Sequence, residues 1–200
     1  MASSLSFALR HNDDAAYLGT QWRTPLLFGD YRAVDPATVL DHRAARFCQT
    51  NGLSADMTPT APGRGPARLS TYRDKGGRWL QGEISYRLRI PADPPVDGFW
   101  AVTVYDAQTR SFIENEHEIV GLDSRMDLTR NEDGSVFLYF GPKAPADEDK
   151  KKNWIPTLKD KGWFAYILLR DPTEAFFDNS WQLPDIRRAD EDDDLFGGGG

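Results

Sequence analysis

The sequence predicts a mainly β protein whose strands form an antiparallel sandwich or barrel, and two observations support this fold class. Between Tyr86 and Leu169, short runs of alternating β-branched and aromatic residues are separated by polar turns, and half of the aromatic residues of the chain lie in this stretch. The chain has 200 residues, of which 40% are hydrophobic, so it is long enough for one domain with one substantial core.

Residues 1–66 are predicted to form an arm, a helix and an irregular connection ahead of the sandwich. Up to about Val34, aromatic and polar residues mix without a period, as in an extended arm. Asp35 is a predicted N-cap, and apolar residues then recur at helical spacing until Gly52 ends the helix. Residues 54–66 are rich in Pro, Gly, Ala and Thr, which predicts a loop.

Residues 67–187 are predicted to form the sandwich, which begins with a hairpin. The turn signal is Gly76-Gly77, because two glycines accept the positive φ of a tight turn. Alternating apolar and polar residues then predict a strand from Ile84 to Ile90 with one buried face.

Three further strands are predicted from apolar runs. Residues 99–105 are apolar on both faces, which predicts a central strand covered on both sides. A turn signal at residues 131–134 precedes a strand over residues 136–140, and a hairpin with residues 126–129 is expected. Residues 163–169 contain no charge and predict a second central strand.

The remaining segments are predicted to be polar or helical. Residues 144–153 are a polar insertion, and Thr173 is the expected cap of a short helix over residues 174–177. The charge run in residues 187–194 predicts a solvated segment, and residues 188–200 are expected to be an acidic, disordered tail with a glycine-rich end.

The charge and hydropathy of the chain exclude several classes of protein. A net charge of -7, from 31 acidic and 24 basic residues without a basic stripe, argues against nucleic acid as a partner. No apolar run approaches the roughly 20 residues of a membrane-spanning helix. Residues 1–10 lack the apolar core of a secretory signal, which predicts a cytoplasmic protein; for a fragment of a longer exported precursor, we expect a periplasmic or exported one.

Metal, cofactor and thiol chemistry are not expected from the motifs. His117 lies among Glu114, Glu116 and Glu118, but in an extended chain the glutamates point to one face and the imidazole to the other. These side chains would converge on a metal ion only if a turn intervened. Cys48, the only cysteine, falls on the apolar side of the predicted helix and is expected to fill the core.

Five residues near predicted strand ends form the candidate binding site: Tyr105, Asp106, Arg110, Asn153 and Trp154. Asp106 and Arg110 follow a strand that is predicted to be buried, and a carboxylate paired with a guanidinium there would hold either a turn or a ligand carboxylate. Trp154 is a large side chain in a predicted loop, where it either plugs the end of the sandwich or stacks on a ligand.

A series of motifs extends from about Asp74 to Ile186: Phe99-Trp100-Ala101-Val102-Thr103-Val104-Tyr105-Asp106, Thr109-Arg110-Ser111, Asn131-Glu132-Asp133-Gly134-Ser135, Tyr139-Phe140-Gly141-Pro142, Asn153-Trp154 and Gly162-Trp163-Phe164. In order and approximate spacing, this series resembles the domain-of-unknown-function family numbered 1214. The resemblance implies a jelly-roll-like β-sandwich, mostly in bacterial proteins, whose longer and often exported members carry a domain of the family numbered 1254 ahead of this one. It implies no established reaction, cofactor or catalytic residue.

The resemblance also implies that the predicted arm and helix belong to a join with an N-terminal module. Apolar arm residues are then expected to form an interface with a partner chain, as in a homo-oligomer. These residues are Trp22, Leu26, Leu27 and Phe28.

Three functional hypotheses follow. The first is a jelly-roll module that binds a small organic molecule or saccharide at one end of the sandwich, near the five candidate residues. The second is a small-molecule hydrolase, lyase or isomerase that uses Asp106 or the carboxylates of residues 114–118 as general acid or base, which requires one of them to be desolvated in a cleft. The third is an assembly protein that forms a homo-oligomer.

Overall fold

A computed structural model describes residues 17–24 and 61–191 of the chain. These residues contain eight strands and two short helices. The strands are β1 (Pro66–Thr71), β2 (Tyr86–Ile90), β3 (Trp100–Asp106), β4 (Gly121–Asp123), β5 (Val136–Gly141), β6 (Trp154–Pro156), β7 (Trp163–Arg170) and β8 (Arg187–Arg188). The helices are α1 (Glu148–Lys152) and α2 (Glu174–Phe177).

The strands form two four-stranded sheets that pack as a sandwich, which confirms the predicted fold class. The first sheet has the strand order β1-β7-β3-β4, and the second has the order β6-β5-β2-β8. All pairings are antiparallel except the one between β5 and β6, which is parallel and departs from the expected pattern. Within the described residues the sheets do not close into a barrel, so of the two predicted architectures the sandwich is the observed one.

Alternation along the strands places the core between the sheets. In β2 the side chains of Tyr86, Leu88 and Ile90 are buried while the two arginines between them are half-buried, as the period of two predicts. In β3 every second residue is buried and the others are half-buried. The strand therefore lies inside its sheet, as expected, but its outer face is only partly covered.

Contacts between the sheets centre on Trp163, which is 1% exposed. Its ring stacks on Phe140 of the opposite sheet at a centroid distance of 5.0 Å and meets the edge of Tyr86 at 5.6 Å. Burial of large aromatic side chains contributes most of the stabilising free energy of such a core.

One predicted secondary-structure assignment is wrong. Residues 126–129 form no strand, so the predicted hairpin between them and β5 is absent. Strand β5 pairs with β2 and β6 instead. The polar insertion at residues 144–153 contains α1, which Asp147 caps by accepting hydrogen bonds from the backbone of Asp149 and Lys150. The hairpin turn at residues 74–77 and the helix that follows Thr173 are present as predicted.

The C-terminal charge run is also partly structured. Arg187 and Arg188 form β8 on the edge of β2, although residues 187–194 were expected to be solvated and residues 188–200 disordered. The backbone of β8 pairs with β2, and Arg188 lies 3.4 Å from the carboxylate of Asp74, which is fully buried and also pairs with Arg78 at 2.8 Å. Such a carboxylate requires a cationic partner.

Residues 17–24 of the predicted arm belong to the sandwich. Trp22 is completely buried in the core, so it does not present the free apolar surface that was expected for a partner chain. The predicted helix with Cys48, and the arm residues Leu26, Leu27 and Phe28, lie outside the described residues.

Candidate functional site

The five candidate residues fall into two groups in different sheets. Tyr105 and Asp106 end β3 of the first sheet, and Arg110 follows in the next turn. Asn153 and Trp154 stand at the beginning of β6 in the second sheet.

Asp106 organises the turn after β3. One carboxylate oxygen accepts hydrogen bonds from the backbone N–H groups of Gln108 and Thr109, at 2.7 and 2.9 Å. The other oxygen accepts a hydrogen bond of 2.8 Å from Lys161 Nζ. Burial opposes ionisation, but the hydrogen bonds from Lys161, Thr109 and Gln108 outweigh it and hold the pKa of Asp106 below its usual value. Such a carboxylate is a poor general base near neutral pH.

Arg110 and Tyr105 belong to an aromatic cluster on the outer side of the first sheet. The ring of Tyr105 lies 5.0 Å from Phe112 and 5.2 Å from Phe164, and the guanidinium of Arg110 lies 5.4 Å above the ring of Phe164. Burial raises the pKa of the neighbouring Tyr166 to about 12. These rings pack against one another, and only Phe112 is strongly exposed.

Asn153 is buried and uses its whole amide within the fold. Its Oδ1 accepts a hydrogen bond from the backbone N–H of Thr129 at 2.9 Å. Its Nδ2 donates to the carbonyl oxygens of Thr129 and Phe137, at 2.7 and 2.9 Å. All of these partners are backbone groups, so the contacts hold the segment before β5 against the second sheet.

Trp154 is 5% exposed, and its indole N–H donates to the carbonyl oxygen of Gly141 at 3.1 Å. The ring meets His117 edge to face at a centroid distance of 5.0 Å. Trp154 is therefore a buried side chain, and the imidazole of His117 lies against its ring.

A turn at Asn115 brings His117 against the ring of Trp154. Asn115 Oδ1 accepts a hydrogen bond from the backbone N–H of His117, and Asn115 Nδ2 donates to the carbonyls of Ile113 and Ile119. The N–H of Glu118 completes the turn by donating to the carbonyl of Asn115 at 3.1 Å. The extended geometry that would separate the glutamates from the imidazole is thus not the one adopted.

The turn forms one side of an open cleft of about 420 Å³. The carboxylates of Glu114 and Glu116 and the imidazole of His117 line this side. The opposite side is lined by Pro142 after β5 and by residues at and after the end of β6. The lining residues are Glu114, Asn115, Glu116, His117, Pro142, Pro156, Thr157 and Leu158. Of the sequence motifs, the acidic run around His117 reaches the cleft, and Trp154 lies behind it.

The cleft does not contain a strongly desolvated acid. Glu114 and Glu116 are exposed, and His117 Nε2 lies 3.6 Å from Glu116 Oε1 with nearly half of the imidazole in solvent. Among residues 17–24 and 61–191, no three His, Cys, Asp or Glu side chains are grouped in a way that would hold a metal ion. The arrangement offers hydrogen-bond acceptors and apolar walls.

Sequence reasoning missed Pro142, Pro156 and Leu158 as lining residues. Pro142 follows β5, and Pro156 is the last residue of β6. The two prolines come together because β5 and β6 run parallel with Gly141 opposite Pro156. The only local signal was the position of these prolines at the ends of apolar runs. Their proximity depends on a pairing that no turn signal encodes.

In the part of the chain that the structure describes, no helix has the length and apolar character needed to cross a membrane.

Comparison with known proteins relates the chain to one protein family and to solved structures that include the following two. Residues 66–174 match the model of the family described as protein of unknown function, DUF1214. The fold is similar to the crystal structure of the VPA0106 protein from Vibrio parahaemolyticus, with a TM-score of 0.58 and 21% identity, over 80% of this chain and 39% of that one. An uncharacterized protein from Burkholderia cenocepacia aligns with a TM-score of 0.41 and 14% identity, over 96% of this chain and 41% of that one.

The chain thus spans about two fifths of the length of each solved structure that it resembles. No curated protein matches it. At 21% identity, the similarity to the Vibrio protein concerns the fold alone.

Proposed function

We propose that this chain, which belongs to the DUF1214 family of proteins of unknown function, is a ligand-binding module whose site is the cleft beside His117. The observation that carries the proposal is the cleft itself, because it combines a concave shape, apolar walls and a small number of polar groups. Its volume of about 420 Å³ lies within the roughly 300–1,000 Å³ of small-molecule sites.

The lining favours a small organic molecule or a saccharide. Glu114 and Glu116 supply carboxylate acceptors for hydroxyl or ammonium groups, since a carboxylate accepts hydrogen bonds but donates none. Pro142, Pro156 and Leu158 supply apolar surface for the C–H face of a sugar ring or an aliphatic chain. The proposed site is therefore the cleft about His117 and not the five candidate residues, none of which is among its lining residues.

Binding is favoured over catalysis by the exposure of the acidic groups. A general acid or base at neutral pH needs a pKa that burial or a like charge has moved towards 7. Glu114 and Glu116 are exposed to solvent, and the hydrogen bonds to Asp106 lower the pKa of its carboxyl group. None of these three carboxyl groups therefore has the environment that an acid-base catalyst needs.

A panel of neutral sugars, amino sugars and small organic amines tests the proposal. Each compound is added to the full chain and its effect on the thermal unfolding midpoint is measured. A compound present at 100 times its Kd stabilises a folded protein by about 2.7 kcal/mol, which is readily detected. Any compound that raises the midpoint is then titrated by calorimetry.

A matched pair of variants locates the site. Glu116→Gln removes one charge from the cleft, and Glu118→Gln removes one charge from the same turn outside the lining. We expect Glu116→Gln to weaken binding at least about tenfold, the loss of a charge-assisted hydrogen bond, while Glu118→Gln binds as the wild type does. A panel without any stabilising compound, or equal losses in both variants, would contradict the proposal.

A further inference from the structure

The side chains that line the cleft beside His117 offer a ligand few hydrogen-bond donors. Among these described residues, the side chains that carry an N–H or O–H group are those of Asn115, His117 and Thr157. Asn115 Nδ2 donates to two backbone carbonyl oxygens, at 3.1 and 2.8 Å. The hydroxyl of Thr157 is buried and donates to the carbonyl oxygen of Gly82 at 2.7 Å. Both of these donors are therefore used within the fold.

The backbone on the apolar side of the cleft is also poor in donors. Pro142 and Pro156 have no N–H group, because the nitrogen of proline is part of its ring. The N–H of Thr157 donates to the carbonyl oxygen of Gly141 at 3.0 Å. On the opposite side, the N–H of His117 donates to the side chain of Asn115. A ligand that offers only acceptors, such as a carboxylate, would therefore find few partners here.

Glu114 and Glu116 make the cleft rich in acceptors and negative in charge. Each carboxylate accepts hydrogen bonds at two oxygens and donates none. No lysine or arginine is among the lining residues that the structure describes, and the imidazole of His117 lies 3.6 Å from Glu116. A cleft lined by one sign of charge beside apolar walls concentrates ligands of the opposite sign. The lining therefore selects a ligand that donates hydrogen bonds and carries positive charge.

An organic cation fits this lining better than a metal ion does. Metal ions in proteins are held by several converging ligands, and residues 17–24 and 61–191 contain no such group of three His, Cys, Asp or Glu side chains. Pro142, Pro156 and Leu158 give the cleft an apolar wall. A carbon skeleton gains free energy by covering such a wall, whereas a bare ion does not.

We infer that the ligand of this cleft carries a primary ammonium group, which Glu114 and Glu116 receive, on a small apolar or saccharide body that lies against Pro142, Pro156 and Leu158. The inference rests on the proposed binding function of the cleft and narrows it to one chemical class. An ammonium group has three N–H donors and no acceptor, which is the complement of the lining. Aliphatic amines and amino sugars share this chemistry.

Two matched sets of compounds test the charge and the body of the ligand separately. Glucosamine, glucose and glucuronate share a sugar ring, while cyclohexylamine, cyclohexanol and cyclohexanecarboxylate share an apolar one. Each compound is titrated into the full chain by calorimetry near neutral pH. In at least one set, we expect the amine to bind about tenfold or more tightly than the neutral compound, because it forms charge-assisted hydrogen bonds, and the carboxylate to bind most weakly. The set with the tighter amine identifies the body.

A double variant links the preference for the amine to the two carboxylates. Glu114→Gln with Glu116→Gln keeps the size of both side chains and removes their charge, so we expect the advantage of the amine to fall to about threefold or less. The affinity of the neutral compound should hardly change, which also shows that the variant is folded. Glu118→Gln is the matched control, because Glu118 is exposed in the same turn but does not line the cleft. It should keep the full advantage.

The outcomes separate this inference from the proposed function. A neutral compound or a carboxylate that binds in the cleft as tightly as the matching amine would overturn the inference and leave the cleft as a binding site. An amine that keeps its advantage in the double variant would also overturn the inference. If no compound of either set binds, both the inference and the proposed function fail.

Discussion

At the scale of single residues, Asn153 gives the sharpest test of a side chain that holds the fold together. In Asn153→Asp the shape is kept, but an acceptor replaces Nδ2, which donates to the carbonyls of Thr129 and Phe137. We expect the free energy of unfolding to fall by about 3 kcal/mol, because two buried hydrogen bonds are lost and a carboxylate faces two carbonyl oxygens. Urea denaturation measures this change. Asn179→Asp, at an exposed position, should be neutral, and equal losses in the two variants would refute the assignment.

Asp106 leads to a prediction about acid stability. Its pKa is lowered in the folded protein, so the carboxylate stabilises the fold above the unfolded pKa of about 4, and this contribution is lost as the pH falls through the folded value. In Asp106→Asn we expect lower stability at neutral pH and a smaller further loss below pH 4. Thermal midpoints of both proteins between pH 2 and 7 measure the difference, and parallel curves would show that Asp106 does not contribute.

At the scale of elements, the approach of two loops depends on Gly82. A Cβ atom at this position would lie 1.7 Å from the carbonyl oxygen of Leu158, a contact that only backbone movement relieves. Gly82→Ala should therefore cost about 2 kcal/mol or more in unfolding free energy. Gly162→Ala is the control, because the added Cβ would meet Ala107 at an ordinary 3.6 Å. Denaturant midpoints compare the two, and a larger loss at Gly162 would contradict the geometry.

The strands that were predicted from sequence are those with an alternating or apolar run of five or more residues. In β2 the alternation of apolar side chains selects one face of the strand, and in β7 an uncharged apolar run marks the strand, so local sequence suffices. The three-residue β6 carries too little pattern, and it is stabilised by parallel pairing with β5. Residues 126–129 looked like a strand, but Thr129 is held by the side chain of Asn153 instead.

The candidate site was harder to predict than the fold. The sequence predicted a site at five residues that included Trp154, and it considered His117 only as a metal ligand; the structure places the rings of these two residues in contact. The sequence could not show that a turn at Asn115 reverses the acidic run, or that the end of β6 meets the end of β5. Both depend on contacts between segments that are distant in sequence, whereas periodicity reports only on neighbours.

At the scale of the whole molecule, Trp163 couples the two sheets. In Trp163→Ala the contacts with Phe140 and Tyr86 are lost and a large cavity is left, so we expect a loss of about 3–5 kcal/mol. Because both sheets share this core, far-UV and near-UV circular dichroism should report the same lowered midpoint. Trp79→Ala is the control, since this ring is 39% exposed and lies beneath Arg73. A comparable loss at Trp79 would argue against the coupling.

The lengths of the outermost strands have a consequence for behaviour at high concentration. Three of the four sheet edges in the described part of the chain are only two or three residues long, namely β4, β6 and β8, and β6 ends at Pro156, which has no N–H to donate. The fourth edge, β1, already pairs with Arg23. Short or occupied edges give incoming chains little template for side-by-side stacking, so the folded domain should resist fibril-like aggregation until it unfolds.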